Sequence, residues 1–320
     1  MKVVCSYLSG RMGNQMFVYA FSRALKIAQG GNGKLVFNFK KVISQGTESD
    51  GFEDTLKYFN VEPYVTEKSN LILKYGNILQ VIVYTAYILS IKLFGADANS
   101  TTWSAVLRKF GMLFTNWWDD SRLYDRFLNN QRICDRVFLY YSGVIENTLY
   151  YDKIRVKLLE ELTPKEPPLF GNKTLYDLIE QTNSVCVSVR RGDYLSPEHI
   201  KDFYVCDESY FRRAIEVAKN TIENPTLFFF SDDIEWVKEH IKSDLPSYYE
   251  SGNSPVWEIM RLMYSCKHFI ISNSTFAWWA QYLCRNTDKV VIAPDRWRNG
   301  EIRNNACRLL LDSFIKIPTR

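Results

Sequence analysis

Apolar and polar residues alternate in blocks through the second half of the chain, and the blocks have the lengths of strands and helices in turn. Short apolar runs rich in Val, Ile and Phe are typical of buried strands. Between them, helical spacing puts apolar residues such as Phe211, Ile215 and Ala218 on one face. The predicted strands are 184–189, 226–230, 268–271 and 289–293, and the predicted helices are 208–220, 234–242, 256–266 and 275–284. This alternation predicts a parallel, doubly wound α/β sheet.

The start of the chain predicts a second unit of the same kind. An apolar run over 3–8 is followed by a turn over 9–14, a helix over 15–29, a glycine-rich stop over 30–33 and a second apolar run over 34–39. This order is a βαβ unit. The turn has the pattern GxxGN and not GxGxxG, so a nicotinamide-dependent enzyme is not expected. Its glycines let the backbone approach a ligand at a helix N-terminus.

A proline-rich run over 164–168, PKEPP, separates the two halves. Such a run belongs neither in a helix interior nor in a central strand, so it is the best linker candidate. We therefore predict two α/β domains, 1–163 and 164–320, with the last helix as a candidate to pack back on the first domain.

The region between the first strands and the linker is less patterned. Residues 78–94 are strongly apolar but fall short of a transmembrane span. We predict one or two helices that pack on the first domain, and contact with a membrane surface is the alternative. We expect loop over 46–70, a strand over 137–144 and a helix over 150–162. The aromatic and acidic cluster over 116–120, NWWDD, has no assigned role.

Composition and charge narrow the class of partner. Hydrophobic residues make up 46% and charged residues 24%, as in ordinary globular proteins. The net charge of +4 is scattered, which fits an anionic small ligand or an anionic membrane nearby and does not favour nucleic acid. The seven cysteines form no CxxC pair, so we expect reduced thiols. Because a strand begins near residue 2, we expect no signal peptide or N-terminal anchor and a cytoplasmic protein, with peripheral contact at the inner membrane as an alternative.

Three predicted strands of the second half end in polar clusters. The clusters are Arg190-Arg191-Gly192-Asp193, Ser231-Asp232-Asp233 and Ser272-Asn273-Ser274-Thr275. Parallel strands place all three at one edge of the sheet, where α/β proteins bind ligands. A hydroxyl-rich turn that opens a helix binds anions through its free N–H groups and its dipole, and arginine adds a charged fork of donors. Their coincidence favours a nucleotide-diphosphate site.

Each cluster alone also has an ordinary structural explanation. The arginine pair could form a surface salt bridge with Asp193. The clusters at 231–233 and 272–275 could simply cap the helices that follow them. Asp232 and Asp233 could also bind a metal ion, but we identify no third ligand.

Four segments carry a resemblance to a known family. They are, in order, GRMGNQMFVYA, VRRGDY, FSDD and SNSTFAWW. Together they resemble glycosyltransferase family 11, the α-1,2-fucosyltransferases, over nearly the whole chain. The resemblance implies a GT-B fold, in which two Rossmann-like domains face each other across a cleft, with the acceptor side over 1–163 and the GDP-sugar side over 164–320. It also implies GDP-fucose as donor, a galactoside glycan as acceptor, inversion at the anomeric carbon, and no metal or cofactor.

The resemblance also implies roles for individual residues. Arg190 would contact the β-phosphate of the departing GDP, and Asp193 would support the arginines or act as base near the acceptor. Glu258 would recognise guanine, and Asn14 would reach the pyrophosphate or the sugar from the N-terminal domain. The implied donor-binding residues are Asn14, Ser188, Arg190, Arg191, Asp232, Asp233, Glu258, Asn273, Ser274 and Thr275.

One position departs from the family pattern. The family usually has a histidine two residues before the first arginine, and this chain has Ser188. The change argues against a histidine acid–base step there. His199, His240 and His268 lie outside the motif, and we expect His268 to be structural. The alternative functions are transfer from another nucleotide sugar, or nucleotide or carbohydrate binding without catalysis.

Overall fold

The computed structural model of the 320-residue chain describes residues 1–95, 101–114, 133–140, 145–300 and 308–319. The chain divides into two compact units, Met1–Lys57 with Val61–Glu161 and Tyr58–Asn60 with Leu162–Arg320. The cluster over 116–120 and the end of the strand predicted over 137–144 lie outside the described residues.

The segment Tyr58–Asn60 belongs to the second unit because it pairs with the proline-rich linker. Phe59 and Pro164 form an antiparallel bridge, and the Lys165 N–H donates to the Tyr58 carbonyl at 2.8 Å. The linker thus satisfies its backbone groups by pairing with a distant segment and not through a helix or sheet of its own.

The first unit is built on a parallel sheet that is covered by helices. Its strands are β1 Val3–Tyr7, β2 Lys34–Asn38, β3 Tyr64–Thr66, β4 Met112–Phe114 and β5 Arg136–Tyr140. Its helices are α1 Met12–Ala28, α2 Lys40–Ser44, α3 Leu71–Tyr75, α4 Ile78–Phe94, α5 Thr101–Lys109 and α6 Arg155–Glu161. The strand order is β3-β2-β1-β5-β4, and all the pairings are parallel.

Alternate side chains of β1 face opposite sides of this sheet. Val3 and Cys5 join a core with Leu71 of α3 and Tyr87 of α4. On the other side, the Ser6 hydroxyl bonds to the Ser22 hydroxyl of α1 at 2.7 Å. Helices therefore cover both faces of β1, as expected for a nearly continuous apolar strand in a parallel sheet.

Several local predictions for this unit need correction. Helix α1 begins at Met12, earlier than predicted, so Asn14 lies in its first turn and not in the preceding loop. Residues 78–94 form one helix, α4. The strands β3 and β4 were missed because three-residue edge strands carry no periodic signal. The helix predicted over 150–162 is regular only over Arg155–Glu161, after short 3-10 turns.

The second unit has the doubly wound order that the sequence predicted. Its strands are β6 Asn183–Val189, β7 Pro225–Ser231, β8 Ser247–Tyr249, β9 His268–Ile271, β10 Val291–Pro294 and β11 Ile315–Ile317. Its helices are α7 Lys173–Gln181, α8 Ile200–Phe203, α9 Glu208–Thr221, α10 Ile234–His240, α11 Val256–Ser265 and α12 Thr275–Leu283. The order β11-β10-β9-β6-β7-β8 is that of a Rossmann sheet, and all its pairings are parallel.

The strand order of this sheet reverses between β6 and β9, which pair directly. Chain connections leave this point in opposite directions, so a crevice opens outside the carboxyl ends of the two strands. Two of the three polar clusters follow these strands, and the third follows β7 on the other side of β6. The α/β class with two Rossmann-like domains is confirmed, and so is the shared edge of the three clusters.

Candidate active site

Arg190 follows β6 directly and lies between two carboxylates. Its Nη2 donates to Asp193 Oδ1 at 2.5 Å, and its Nη1 lies 2.7 Å from Asp232 Oδ2. Burial alone would lower the pKa of the guanidinium, but Asp232 and Asp193 outweigh burial and raise that pKa. The side chain nevertheless keeps 24% exposure. Arg190 is therefore a fixed, permanently charged fork whose remaining N–H donors can meet a ligand.

Asp232 ties the arginine loop to the end of β7. Its Oδ1 accepts the Arg191 backbone N–H at 2.9 Å, while Oδ2 pairs with Arg190. A Cβ at position 192 would lie 2.5 Å from Asp232 Oδ2, a distance that real Cβ contacts do not reach. Gly192 is thus required because the carboxylate fills the space that a side chain would take.

Arg191 is held by a separate set of contacts. Its guanidinium carbon lies 3.5 Å from the centre of the Trp236 ring, and its Nε donates to Asp233 Oδ2 at 2.9 Å. The His240 ring in turn stacks on the Trp236 ring, and the two ring centroids are 4.6 Å apart. A guanidinium stacked on indole and bound to a carboxylate is fixed in place. The structure therefore distinguishes the two arginines, which the motif alone could not do.

The start of α12 forms the other side of the crevice. Ser274 occupies the N-cap position in extended conformation, but its hydroxyl makes no capping bond, and the first turn of the helix has no acidic residue. The Ser272 hydroxyl is fully buried without a hydrogen-bond partner. Thr275 is the first residue of the helix. The positive end of the helix dipole is therefore not offset by a side chain of its own first turn, which suits an anion.

Asn273 has a structural role in this loop. It is buried, and its amide group donates to the carbonyls of Phe203 at 3.0 Å and Trp297 at 2.9 Å. The backbone carbonyl of Asn273 accepts a hydrogen bond from the Tyr194 hydroxyl at 3.0 Å. With these bonds in place, the Asn273 side chain anchors the segments around Phe203 and Trp297.

Tyr194 connects the arginine loop with the α12 loop. Besides its bond to Asn273, its ring lies 5.5 Å from the guanidinium carbon of Arg190. Burial raises the pKa of the Tyr194 hydroxyl, so at neutral pH the hydroxyl stays protonated and remains a donor. Tyr194 thus links the two strand ends on either side of the switch point.

Two more of the predicted residues, Ser188 and Glu258, are buried in the second unit. Ser188 is buried in β6, and its carbonyl accepts the Ser272 N–H at 3.2 Å. Glu258 of α11 is fully buried, where it accepts from the Leu169 N–H at 3.0 Å and pairs with Arg261 at 3.1 Å. The structure therefore uses Glu258 to hold the segment that follows the linker.

Asn14 lies in the first unit, in the first helical turn of α1 and directly after the turn that joins β1 to α1. That turn contains Gly10 at a φ of +75°, and a Cβ on Gly10 would lie 2.2 Å from Asn14 Nδ2. Gln15 fixes the turn by donating to the Gly10 carbonyl at 3.1 Å and accepting from the Thr55 N–H at 3.0 Å. The turn is therefore tight and held in place by Gln15, and Gly10 allows its backbone to approach Asn14 closely.

Asp232 and Asp233 at the site, and His268 at the start of β9, all have partners within the protein. Over the part of the chain that it describes, no three His, Cys, Asp or Glu side chains are grouped to hold a metal ion. Asp232 and Asp233 are instead the partners of the arginines. The Nδ1 of His268 accepts the Val290 N–H at 3.0 Å, and burial next to Lys267 lowers its pKa. His268 is structural, as predicted.

Three residues of this arrangement were not among the predicted catalytic or donor-binding residues: Gly192, Tyr194 and Trp236. The first two belong to the VRRGDY segment, so the motif itself was their signal. Trp236 follows the DD pair at helical spacing, and nothing local to it indicates that it stacks on an arginine of another strand end.

Comparison with known proteins adds independent findings. The family model for Glycosyl transferase family 11 matches residues 85–310. An α-1,2-colitosyltransferase of Escherichia coli is 30% identical over 313 residues, which cover 95% of this chain and 96% of that protein. The O-antigen biosynthesis glycosyltransferase WbnK of Escherichia coli is 27% identical over 98% of this chain and 99% of that protein. The human galactoside α-(1,2)-fucosyltransferase 1 is 35% identical over 104 residues, which cover 31% of this chain and 28% of that protein.

Proposed function

The chain belongs to glycosyl transferase family 11, and on that premise we propose that it transfers L-fucose from GDP-fucose to the 2-hydroxyl of a terminal galactose, with inversion at the anomeric carbon. Its family makes it a glycosyltransferase, while the sugar, the acceptor and the stereochemistry are the proposal. One observation carries most of the weight: a fixed arginine fork and a helix N-terminus without a side-chain cap follow the two strands at the switch point.

The chemistry explains why these groups suit the reaction. When the sugar–phosphate bond breaks, negative charge grows on the departing GDP and positive charge on the sugar ring. Preorganised donors aimed at the growing negative charge lower the barrier. Arg190 would bind the β-phosphate, and the N–H groups at the start of α12 would bind the same diphosphate from the other strand end. Neither group has to reorganise as the charge develops.

The acceptor hydroxyl must also lose a proton. Asp193 is the candidate base, and its Oδ1 already accepts from Arg190 at 2.5 Å. This bond holds the carboxylate against the guanidinium before an acceptor arrives. We therefore propose that Asp193 first positions Arg190 and takes the acceptor proton late, when the hydroxyl has become acidic by bonding to the sugar.

We further propose that the reaction needs no metal ion and no cofactor. The support is that Arg190 and the helix N-terminus supply the positive charge that a divalent ion would otherwise bring to the diphosphate. Treatment with a chelator should leave the transfer rate unchanged. A loss of activity that Mg²⁺ or Mn²⁺ restores would overturn this part of the proposal.

Colitose is a second candidate for the transferred sugar, because a relative 30% identical over nearly the whole chain is named a colitosyltransferase. Colitose is fucose without its 3-hydroxyl. A site that bonds to that hydroxyl rejects the deoxy sugar by about 10⁴-fold, whereas an apolar site there does not distinguish them strongly. The ratio of kcat/KM for GDP-fucose to kcat/KM for GDP-colitose therefore distinguishes the two candidate sugars.

The decisive experiment incubates the protein with GDP-fucose, GDP-colitose or a UDP-sugar and a panel of β-galactosides, and locates the linkage in each product. We expect an α-1,2 product from GDP-fucose. A product from GDP-colitose and none from GDP-fucose would identify colitose, and not fucose, as the transferred sugar. Binding of GDP with neither transfer nor donor hydrolysis would overturn both.

A further inference from the structure

Helix α4 turns an apolar face outward. Ile78, Ile82, Leu89 and Leu93 recur at helical spacing on one side, and their exposed fractions are 82%, 57%, 51% and 71%. Phe94 ends the same helix at 81% exposure. A surface helix of a globular protein normally presents charged and polar residues on this side. We call these five residues the α4 outer face.

The opposite side of α4 is firmly attached to the first unit. Tyr87 is buried in the core, and the Gln80 amide donates to the carbonyls of Phe110 at 2.7 Å and Arg136 at 3.0 Å. Asn77 caps the helix through a complete capping box with Gln80. The outer face is therefore presented by a rigid helix, and its exposure does not come from a frayed end.

Helix α4 carries a cation and no acid. From Asn70 to Gly95 the sequence contains Lys74 and Lys92 and no acidic residue. Lys74 pairs with Glu67, whereas Lys92 is exposed on α4 itself. An apolar face on a helix whose charged residue is an exposed lysine complements a bilayer surface that bears anionic headgroups.

We propose that α4 docks the protein on an anionic membrane surface, with the helix lying in the plane of the interface. None of the described helices is long and apolar enough to cross a bilayer, and one apolar face on a 17-residue helix fits an interfacial position. The inference does not depend on which sugar or acceptor the enzyme uses.

A second copy of the chain is a weaker occupant for this face. A symmetric dimer through this face would pair two α4 helices that each carry Lys92 and no acid, so the helices would offer these lysines no acidic partner. The headgroups of a bilayer with anionic lipids carry negative charge, which attracts the lysine of α4. The experiment below distinguishes the two.

The test is co-sedimentation of the full chain with vesicles of phosphatidylcholine and phosphatidylglycerol in equal parts, and with phosphatidylcholine alone. We expect binding to the anionic vesicles that weakens with added salt. The double variant Ile82→Glu with Leu89→Glu should reduce that binding by about tenfold or more, because both side chains leave the apolar interface. Lys92→Glu should reduce binding to anionic vesicles only.

A matched control makes the same chemical change elsewhere. Val156 and Phe170 are 74% and 90% exposed, so Val156→Glu with Phe170→Glu adds the same two charges away from α4. This control should bind vesicles as the wild type does. Equal loss in both double variants, or no vesicle binding by the wild type, would overturn the proposal. So would a wild-type dimer in sedimentation equilibrium that the α4 variant converts to monomer without any vesicle binding.

Discussion

Helices α10 and α12 begin at the same edge of one sheet, each directly after a strand that pairs with β6, yet their first turns differ in charge. At α10, the Asp233 carboxylate accepts the Trp236 N–H at 3.4 Å, and Glu235 adds a second acid. At α12, the N-cap Ser274 makes no capping bond and no acid follows. The start of α10 therefore carries two acidic side chains, and the first turn of α12 contains none.

The difference shows how one fold can treat equivalent positions in opposite ways. The Asp233 carboxylate offsets the dipole of α10 and also binds Arg191, so this corner holds the arginine loop in place. Under the proposed function, the positive end of α12 would bind the diphosphate of the donor. On this view, the corner at α10 supports the site and the corner at α12 belongs to it. The following changes test that division, from the largest expected effect to the smallest.

Arg190→Ala should have the largest effect, because it removes the charge that we propose binds the departing diphosphate. We expect kcat to fall by about 10²–10³-fold, the usual loss for a preorganised donor to developing charge. Thermal unfolding should confirm that the fold persists. Arg212→Ala, a surface arginine paired with Glu208, is the control and should leave kcat unchanged. Near-normal turnover by Arg190→Ala would refute the leaving-group assignment.

Gly192→Ala should come next, because it acts on Arg190 through Asp232. The new Cβ forces the Asp232 carboxylate to move, and displacement of a catalytic group by about 1 Å can cost about 10²-fold in rate. Gly171→Ala is a matched control, since nothing lies within 4 Å of a Cβ there. Steady-state kcat values for both variants test whether the loss is specific to position 192. Equal rates would show that Asp232 does not position Arg190.

Ser274→Asp should weaken GDP binding by roughly fivefold, because it places a carboxylate at the helix end that is left for the diphosphate. Isothermal titration with GDP measures this directly. Thr287→Asp adds the same charge at an exposed loop position and should leave the affinity as it is. An unchanged dissociation constant for Ser274→Asp would make the two helix ends equivalent and remove the distinction between the corners.

The smallest effect concerns stability. Asp233→Ala removes a cap that the structure shows and should lower the free energy of unfolding by about 1 kcal/mol. Ser274→Ala removes a hydroxyl without a capping bond and should change that free energy by much less. Urea denaturation of the two variants compares the costs. A larger cost at Ser274 would show that this serine stabilises its helix after all.

Much of this site could be predicted because its residues follow strands. The apolar runs fixed where β6, β7 and β9 lie, and parallel pairing then placed the three clusters at one edge. The four motif segments indicated the family, and the family match over residues 85–310 confirms it. The predicted turn at 9–14 was less accurate, because Gly13 and Asn14 are tolerated in the first turn of α1, where N–H groups need no intrahelical partner.

The sequence by itself determined the α/β class, the order of the main elements and the residues that line the carboxyl edge, because these depend on local periodicity. Only the tertiary structure decided which carboxylate holds which arginine, that Trp236 stacks on Arg191, that Asn273 and Glu258 are engaged in structural bonds, and that an apolar face of α4 points outward. The physical reason is the same in each case. Most of these contacts, such as Arg191 with Trp236 and Glu258 with Leu169, join residues far apart in the chain, and the exposure of the α4 face depends on which elements pack against that helix. Strand register and packing set this geometry, and no local pattern encodes it.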